Sequence, residues 1–174
     1  MGRERLTIPL VFEEAARSTL TFSDPSLIRL NPDTNRLELK NQGFNLVTGK
    51  PTYPVLALAA TPWIRTRTVE PEALRQWHSF WCEAQLPAGT SVLFKLNDGS
   101  NDYFWDVSLP TPAWVVAGAG DWNTHEEIAE HVATFPPAPK KLAVVIGLAT
   151  TDPEVTPQVE AVDLLMECEL EWFY

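Results

Sequence analysis

The most constraining stretch of this chain lies near its C-terminus. Val162, Leu164, Met166, Cys168, Leu170 and Trp172 alternate without a break against Asp163, Leu165, Glu167, Glu169, Glu171 and Phe173. Successive side chains of a strand point to opposite faces, so six apolar residues in this register predict a long strand with one buried side. The three glutamates predict that the other side meets water, as in an antiparallel sheet. A strand of this kind needs a second layer to cover its apolar face.

The same period recurs along the chain. Leu6, Ile8, Leu10 and Phe12 alternate with Thr7, Pro9 and Val11, with the proline favouring an edge position. Leu20 and Phe22 flank Thr21 ahead of the turn Ser23-Asp24-Pro25, and Leu37 and Leu39 follow the turn-like Asn31-Pro32-Asp33. Between Trp77 and Leu86, Phe80, Cys82, Ala84 and Leu86 share one face, and Trp77, Ser79, Trp81 and Glu83 the other. Val92, Phe94 and Leu96 oppose Ser91, Leu93 and Lys95, and Leu142, Val144, Ile146 and Leu148 form a further inward set. Fifteen prolines in 174 residues work against a helical bundle.

One helix is expected. Thr124-His125-Glu126-Glu127 fits a capping box, Ile128, Val132 and Phe135 follow at helical spacing, and Pro136-Pro137 stops the run. Glu72 to Gln76 reads as a shorter helical turn. The pattern predicts an all-β protein, an antiparallel, jelly-roll-like β-sandwich with one short helix near residues 124–135, forming a single domain over 1–174.

Charge and composition narrow the function classes. A formal net charge of −10 lacks the footprint that nucleic-acid backbones select, so no nucleic-acid partner is expected. The longest apolar stretches, such as Leu142 to Ala149, fall far below the roughly 18 residues of a membrane span. Met1 to Leu10 lacks the apolar region of a secretory signal. Cys82 and Cys168 have no CxxC partner, so zinc is not suggested, and both read as small buried hydrophobes.

No catalytic motif emerges. His125 and His131 are six apart rather than four, which does not place two metal ligands on one helix face, and they are expected to be solvated. Gly118-Ala119-Gly120 reads as a turn rather than a phosphate cradle. Glu13-Glu14, Glu126-Glu127 and the glutamates at 167, 169 and 171 could supply an acid and a base for glycoside hydrolysis, or simply be solvated. No enzyme activity, metal or cofactor is expected.

The segment Ser91 to Val107 is the most suggestive. Two apolar runs flank Asn97-Asp98-Gly99-Ser100-Asn101-Asp102, which predicts a hairpin with amide and carboxyl groups at its tip. Asn97, Asp98, Asn101 and Asp102 read either as turn chemistry or as hard oxygen ligands for calcium. Trp105, Trp114 and Trp122 follow, and rings beside such groups read either as sandwich core or as a sugar-stacking surface. Trp77 and Trp81, on the face opposite Phe80, suggest rings on the outer side of a sheet.

This hairpin also carries a resemblance. The run Val92-Leu93-Phe94-Lys95-Leu96 through Trp105-Asp106, then Trp114-Val115-Val116, Asn123-Thr124 opening a helix, Phe135-Pro136 closing it, and Leu148 to Pro157 before the last strand resemble a β-sandwich module of tailed-bacteriophage virion proteins. Thr21 to Ile28 and Leu37-Glu38-Leu39-Lys40 resemble its opening strands. Such modules occur in neck, collar, tail and fibre-attachment components. The resemblance implies a structural or adaptor role in the virion, after synthesis in the host cytoplasm, with no catalytic residues. Its expected partners are copies of itself, in a symmetric ring or array, and other virion proteins. Trp172, Phe173 and Tyr174 at the chain end suggest burial against the domain or a partner. A carbohydrate-binding module using Trp105 and Trp114 is the alternative, and a glycan hydrolase the third reading.

Overall fold

In the computed structural model, residues 2–9 and 20–170 are described. Thirteen strands and one α-helix follow in the order β1 (Gly2–Pro9), β2 (Thr21–Phe22), β3 (Ile28–Leu30), β4 (Leu37–Leu39), β5 (Gly43–Phe44), β6 (Pro51–Thr52), β7 (Trp63–Arg65), β8 (Leu74–Gln85), β9 (Thr90–Asn97), β10 (Asp102–Asp106), β11 (Ala113–Val116), α1 (His125–His131), β12 (Ala143–Thr150) and β13 (Gln158–Leu170). Short 3-10 turns cover Leu58–Ala60 and Val132–Thr134. The expected residues Leu10 to Phe12, Glu13-Glu14, Glu171, Trp172, Phe173 and Tyr174 lie outside the described residues.

The fold is an antiparallel β-sandwich with one short helix. Its first sheet is built on β13, with β8 along one side and both β1 and β4 along the other, β3 lying beyond β4. The second sheet runs β11-β10-β9-β12-β7-β2, and β5 and β6 form a separate small hairpin. Apolar residues of both large sheets merge in one buried cluster, with Ile28, Leu37 and Leu164 from the first and Phe94, Ile146 and Leu148 from the second. The inward set Val162, Leu164, Met166 and Cys168 is buried, as the alternation predicts. The outer side of β13 departs from expectation: Glu167 is buried and accepts a hydrogen bond from Gln76 Nε2 at 3.3 Å. A strand paired on both sides leaves its outer face partly covered by neighbouring side chains.

β8 corrects the expected faces more sharply. Trp77 is fully buried (0% exposed) beside Phe80, whereas Trp81 is 48% exposed. The cause is register. Leu164 faces Phe80 and Leu165 faces Ser79, but Met166 then faces Trp77, leaving His78 unpaired; Cys168 likewise skips Arg75 to face Leu74. Each bulge inserts one residue and turns the following side chains over. Leu74, Trp77 and Phe80, spaced by three rather than two, therefore all face inward. On β13 a third shift at Glu160 brings both Val159 and Val162 to the core. Leu74 to Gln76 thus begin a strand instead of ending a helical turn.

The second sheet is covered on its outer side too. Lys95 is buried there, its Nζ donating to Gly118 O at 2.8 Å and lying 4.1 Å from the ring centroid of Trp122. Burial pushes this ammonium below the ordinary lysine range, against the opposing pull of Asp102 and Asp121. Trp122 can lie flat on the sheet because Gly147 has no side chain: a Cβ there would sit 2.9 Å from Trp122 Cη2 and 3.0 Å from Thr61 Cγ2. Gly147→Val is expected to cost about 1–3 kcal/mol through this overlap, read as a lowered urea midpoint with the denaturant slope unchanged.

Candidate interaction surface

The hairpin of β9 and β10 pairs only at Asn97–Asp102 and Leu96–Tyr103. Beyond those pairs the strands part, and Asn123 fills the gap. Its backbone exchanges two hydrogen bonds with Phe94, at 2.8 and 2.9 Å. Its side-chain Oδ1 accepts from the Trp105 N–H at 2.6 Å, and its Nδ2 donates to the Trp105 carbonyl at 3.0 Å and to Glu127 Oε2 at 3.4 Å. An amide side chain offers the same donor and acceptor as a peptide group, so Asn123 stands in for a strand residue on both sides.

The next residue starts the helix. Thr124 Oγ1 accepts from the Glu127 N–H at 3.2 Å, and Glu127 Oε1 accepts from the Thr124 N–H at 3.0 Å, completing the predicted capping box. The helix and its 3-10 extension then run to Thr134, ahead of Phe135 and Pro136.

This brings Trp105 and Trp114 together. The Trp105 ring stacks on His131 with centroids 4.0 Å apart and planes 11° from parallel, and meets Trp114 edge-on at 5.5 Å. Trp114 meets Phe135 at 5.2 Å, Tyr103 meets Phe135 at 5.8 Å, and Trp114 Nε1 donates to Thr134 Oγ1 at 3.0 Å. Both tryptophans are half-buried, and their rings are engaged by neighbours rather than spread as an open platform. The two helix histidines are not simply solvated. His131 is this stacking partner, and His125 packs edge-on against Phe80 at 5.7 Å.

The hairpin tip satisfies itself. Asn97 Nδ2 donates to Asp102 Oδ1 at 2.8 Å, and Asn97 Oδ1 accepts from the Gly99 N–H at 2.8 Å. Asp98 Oδ1 accepts from the N–H groups of Ser100 and Asn101 at 2.9 and 2.8 Å. Burial raises the Asp98 pKa, but hydrogen bonds from Asn101, Ser100 and Tyr103 outweigh it and hold the carboxyl below its usual range. Gly99 takes a φ of 97°, which suits glycine. Among the described residues no cluster of His, Cys, Asp or Glu is arranged to hold a metal ion. Glu127, committed to the cap and to Asn123, and Glu167, bonded to Gln76, both have structural work.

Sequence reasoning missed a different surface. Between Gly43 and Ala60 six large apolar side chains are exposed: Leu46 is 99% exposed, Val47 94% and Phe44 66%, with Val55, Leu56 and Leu58 also exposed, while Tyr53 packs against the core. Leu46 and Val47 cap the hairpin of β5 and β6. Asn45 organises the turn, its Oδ1 accepting from the Val47 N–H at 2.9 Å and its carbonyl from Gly49 N–H at 2.8 Å. Glu154 then anchors the turn, accepting from Asn45 Nδ2 at 3.0 Å and Thr48 Oγ1 at 2.9 Å and pairing with Lys50 Nζ at 3.7 Å. Just past the hairpin, the Tyr53 N–H donates to the Pro153 carbonyl at 2.6 Å. A bonded frame thus presents two bare aliphatic side chains. Apolar residues in a turn have no period, so alternation could not reveal them. The available signal was an aliphatic pair inside the turn-rich Asn45 to Lys50.

A cleft of about 400 Å³ opens between β8, β9 and the start of α1, lined by Cys82, Ala84, Leu86, Val92, Phe94 and His125 among others. Cys82 is half-buried and Cys168 is buried. Burial, helped by Glu83, pushes the Cys82 thiol up to about 12. Since the thiolate is the reactive form, Cys82 is not expected to react readily with a chromogenic disulfide reagent at pH 8, and Cys168 is shielded from the reagent by burial. Full labelling is expected only after unfolding in guanidinium.

Among the described residues no helix is long and apolar enough to cross a membrane. Compared with protein-family models, with curated proteins and with solved structures, the chain has no significant match.

Proposed function

We propose that this protein is a non-enzymatic virion structural subunit of a tailed bacteriophage, an adaptor at the neck, collar or tail that works through protein–protein contacts. The observation that supports contact as its mode of action is the outward-facing apolar segment from Phe44 to Leu58, held by Glu154 at its tip. Burying such side chains in a partner contributes about 1.5–3 kcal/mol each, and a frame already in its bound shape loses little entropy on docking. Patches of this kind mark interaction sites. The virion setting comes from the resemblance of the ordered segments between Thr21 and Pro157. The aromatic cluster lends less to a carbohydrate-binding role, because Trp105 and Trp114 engage each other, His131 and Phe135.

The test is electron microscopy of tailed particles decorated with a gold-labelled antibody to this chain. Label at the neck, collar or tail is expected. Particles that remain bare while the antibody detects the free protein would overturn the virion reading. A glycan array is expected to be blank. Micromolar binding to a defined sugar, lost in Trp105→Ala with the fold intact, would replace adaptor function with sugar recognition.

A further inference from the structure

The β9–β10 hairpin and the residues that follow α1 enclose a small cavity of about 130 Å³, lined by Asp98, Tyr103, Trp114, Phe135, Pro136 and Ala138. Topology brings its aromatic residues together. Trp105 pairs with Trp114 across β10 and β11, and Tyr103 lies two residues before Trp105, so Tyr103 and Trp114 share one face of the sheet. Phe135, buried at the end of the helical run, packs against both. Its ring centroid lies 5.8 Å from that of Tyr103 at 71° and 5.2 Å from that of Trp114 at 85°.

Shape limits what this cavity takes. Cavities of about 150 Å³ hold a benzene-sized molecule, so this one suits a single compact group. A flat ring stacks on one aromatic plane. Phe135 stands steeply to both of its neighbours, so no flat group lies along all three rings, and only a rounded one meets them together.

Charge then selects among rounded groups. Asp98 is the one charged residue of the lining, and among the described residues no cation pairs with it. Its Oδ1 is committed to the N–H groups of Ser100 and Asn101, and these bonds, with that from Tyr103, keep the carboxyl ionised. Aromatic faces carry negative potential and attract cations. Pro136 and Ala138 add no side-chain acceptor, so the lining is poor in partners for the three N–H donors of a primary ammonium. A quaternary ammonium has none to satisfy.

We propose that this cavity binds a quaternary ammonium group of the choline type, its methyl groups among the three rings and its charge balanced by Asp98. The site goes beyond the adaptor reading and does not depend on it.

Amide NMR titration of the full chain with choline chloride tests this. Saturable shifts are expected at the Trp114 indole N–H and at the Asp98 and Tyr103 amides. The neutral isostere, with carbon in place of the quaternary nitrogen, is expected to bind about tenfold more weakly. Asp98→Asn is expected to bind choline about tenfold more weakly than the wild type. That variant keeps the turn, because its amide oxygen still accepts from Ser100 and Asn101, and an unchanged thermal midpoint checks this. Phosphatidylcholine vesicles identify the source. Pelleting of the protein with them, reversed by choline, assigns a lipid-borne head group; choline binding without pelleting assigns a free small molecule. The absence of saturable shifts at these residues overturns the proposal. So does equal affinity for the isostere, tighter binding of ethanolamine than of choline, or an Asp98→Asn protein that binds choline as the wild type does.

Discussion

Asn123→Ala is expected to be among the most damaging single changes in the protein. The substitution leaves the Trp105 N–H and carbonyl, half-buried between β9 and α1, without their partners at 2.6 and 3.0 Å. An unsatisfied buried polar group costs about 1–3 kcal/mol, and two backbone groups of Trp105 lose their partners, so a loss of about 2–4 kcal/mol is expected. In a chain of 174 residues that corresponds to a fall of roughly 4–16 °C in thermal midpoint. Asn123→Asp separates the two bonds. An introduced carboxylate still accepts from the Trp105 N–H but opposes the Trp105 carbonyl and the Glu127 carboxylate. The folded state then favours the protonated form, so the folded pKa exceeds the unfolded one. Stability of this variant is expected to recover as pH falls through that raised value. Urea melts of wild type and both variants across the acidic range would test the pairing. An Asn123→Asp protein that loses no more stability at neutral pH than at low pH would mean that the amide is not donating to Trp105.

The second large effect separates two tryptophans four residues apart. Trp77→Ala removes a fully buried indole from between the sheets and is expected to cost about 3–5 kcal/mol. Trp81→Ala, at a half-exposed site on the outer face of β8, is expected to cost under about 1 kcal/mol. Among the described residues the Trp77 indole N–H has no hydrogen-bond partner, so packing rather than polar bonding holds this ring. If β8 alternated without bulges the two positions would share a face and a cost. Comparable urea midpoints for the two variants would therefore refute the bulged register.

That contrast marks where the sequence could be read and where it could not. β13 was legible because its inward residues alternate for most of its length, and the helix because capping box and proline stop are local signals. Asn97, Asp98, Asn101 and Asp102 were placed correctly at a hairpin tip, where the side chains of Asn97, Asp98 and Asp102 bond within the tip and Asn101 donates its N–H to Asp98. Trp77 was misplaced because nothing in Gln76-Trp77-His78-Ser79 signals an extra residue; the register is imposed by β13, nearly ninety positions away. Asn123 went unread in its bridging role because a lone asparagine before a helix looks like any polar residue. Its function depends on β9 and β10 separating far from it in sequence. Leu46 and Val47 escaped for the opposite reason: their importance lies in contacting nothing.

The bulges of β8 carry one more consequence. Among the described residues β8 pairs only with β13, so its other side is a long sheet margin of twelve residues. A flat margin of that length invites strands of other molecules to add without limit, and bulges are one device that spoils such a template. The irregular spacing at Arg75 and His78 interrupts the row of peptide groups that a foreign strand would have to match. That irregularity discourages the open-ended strand addition from which fibrils grow.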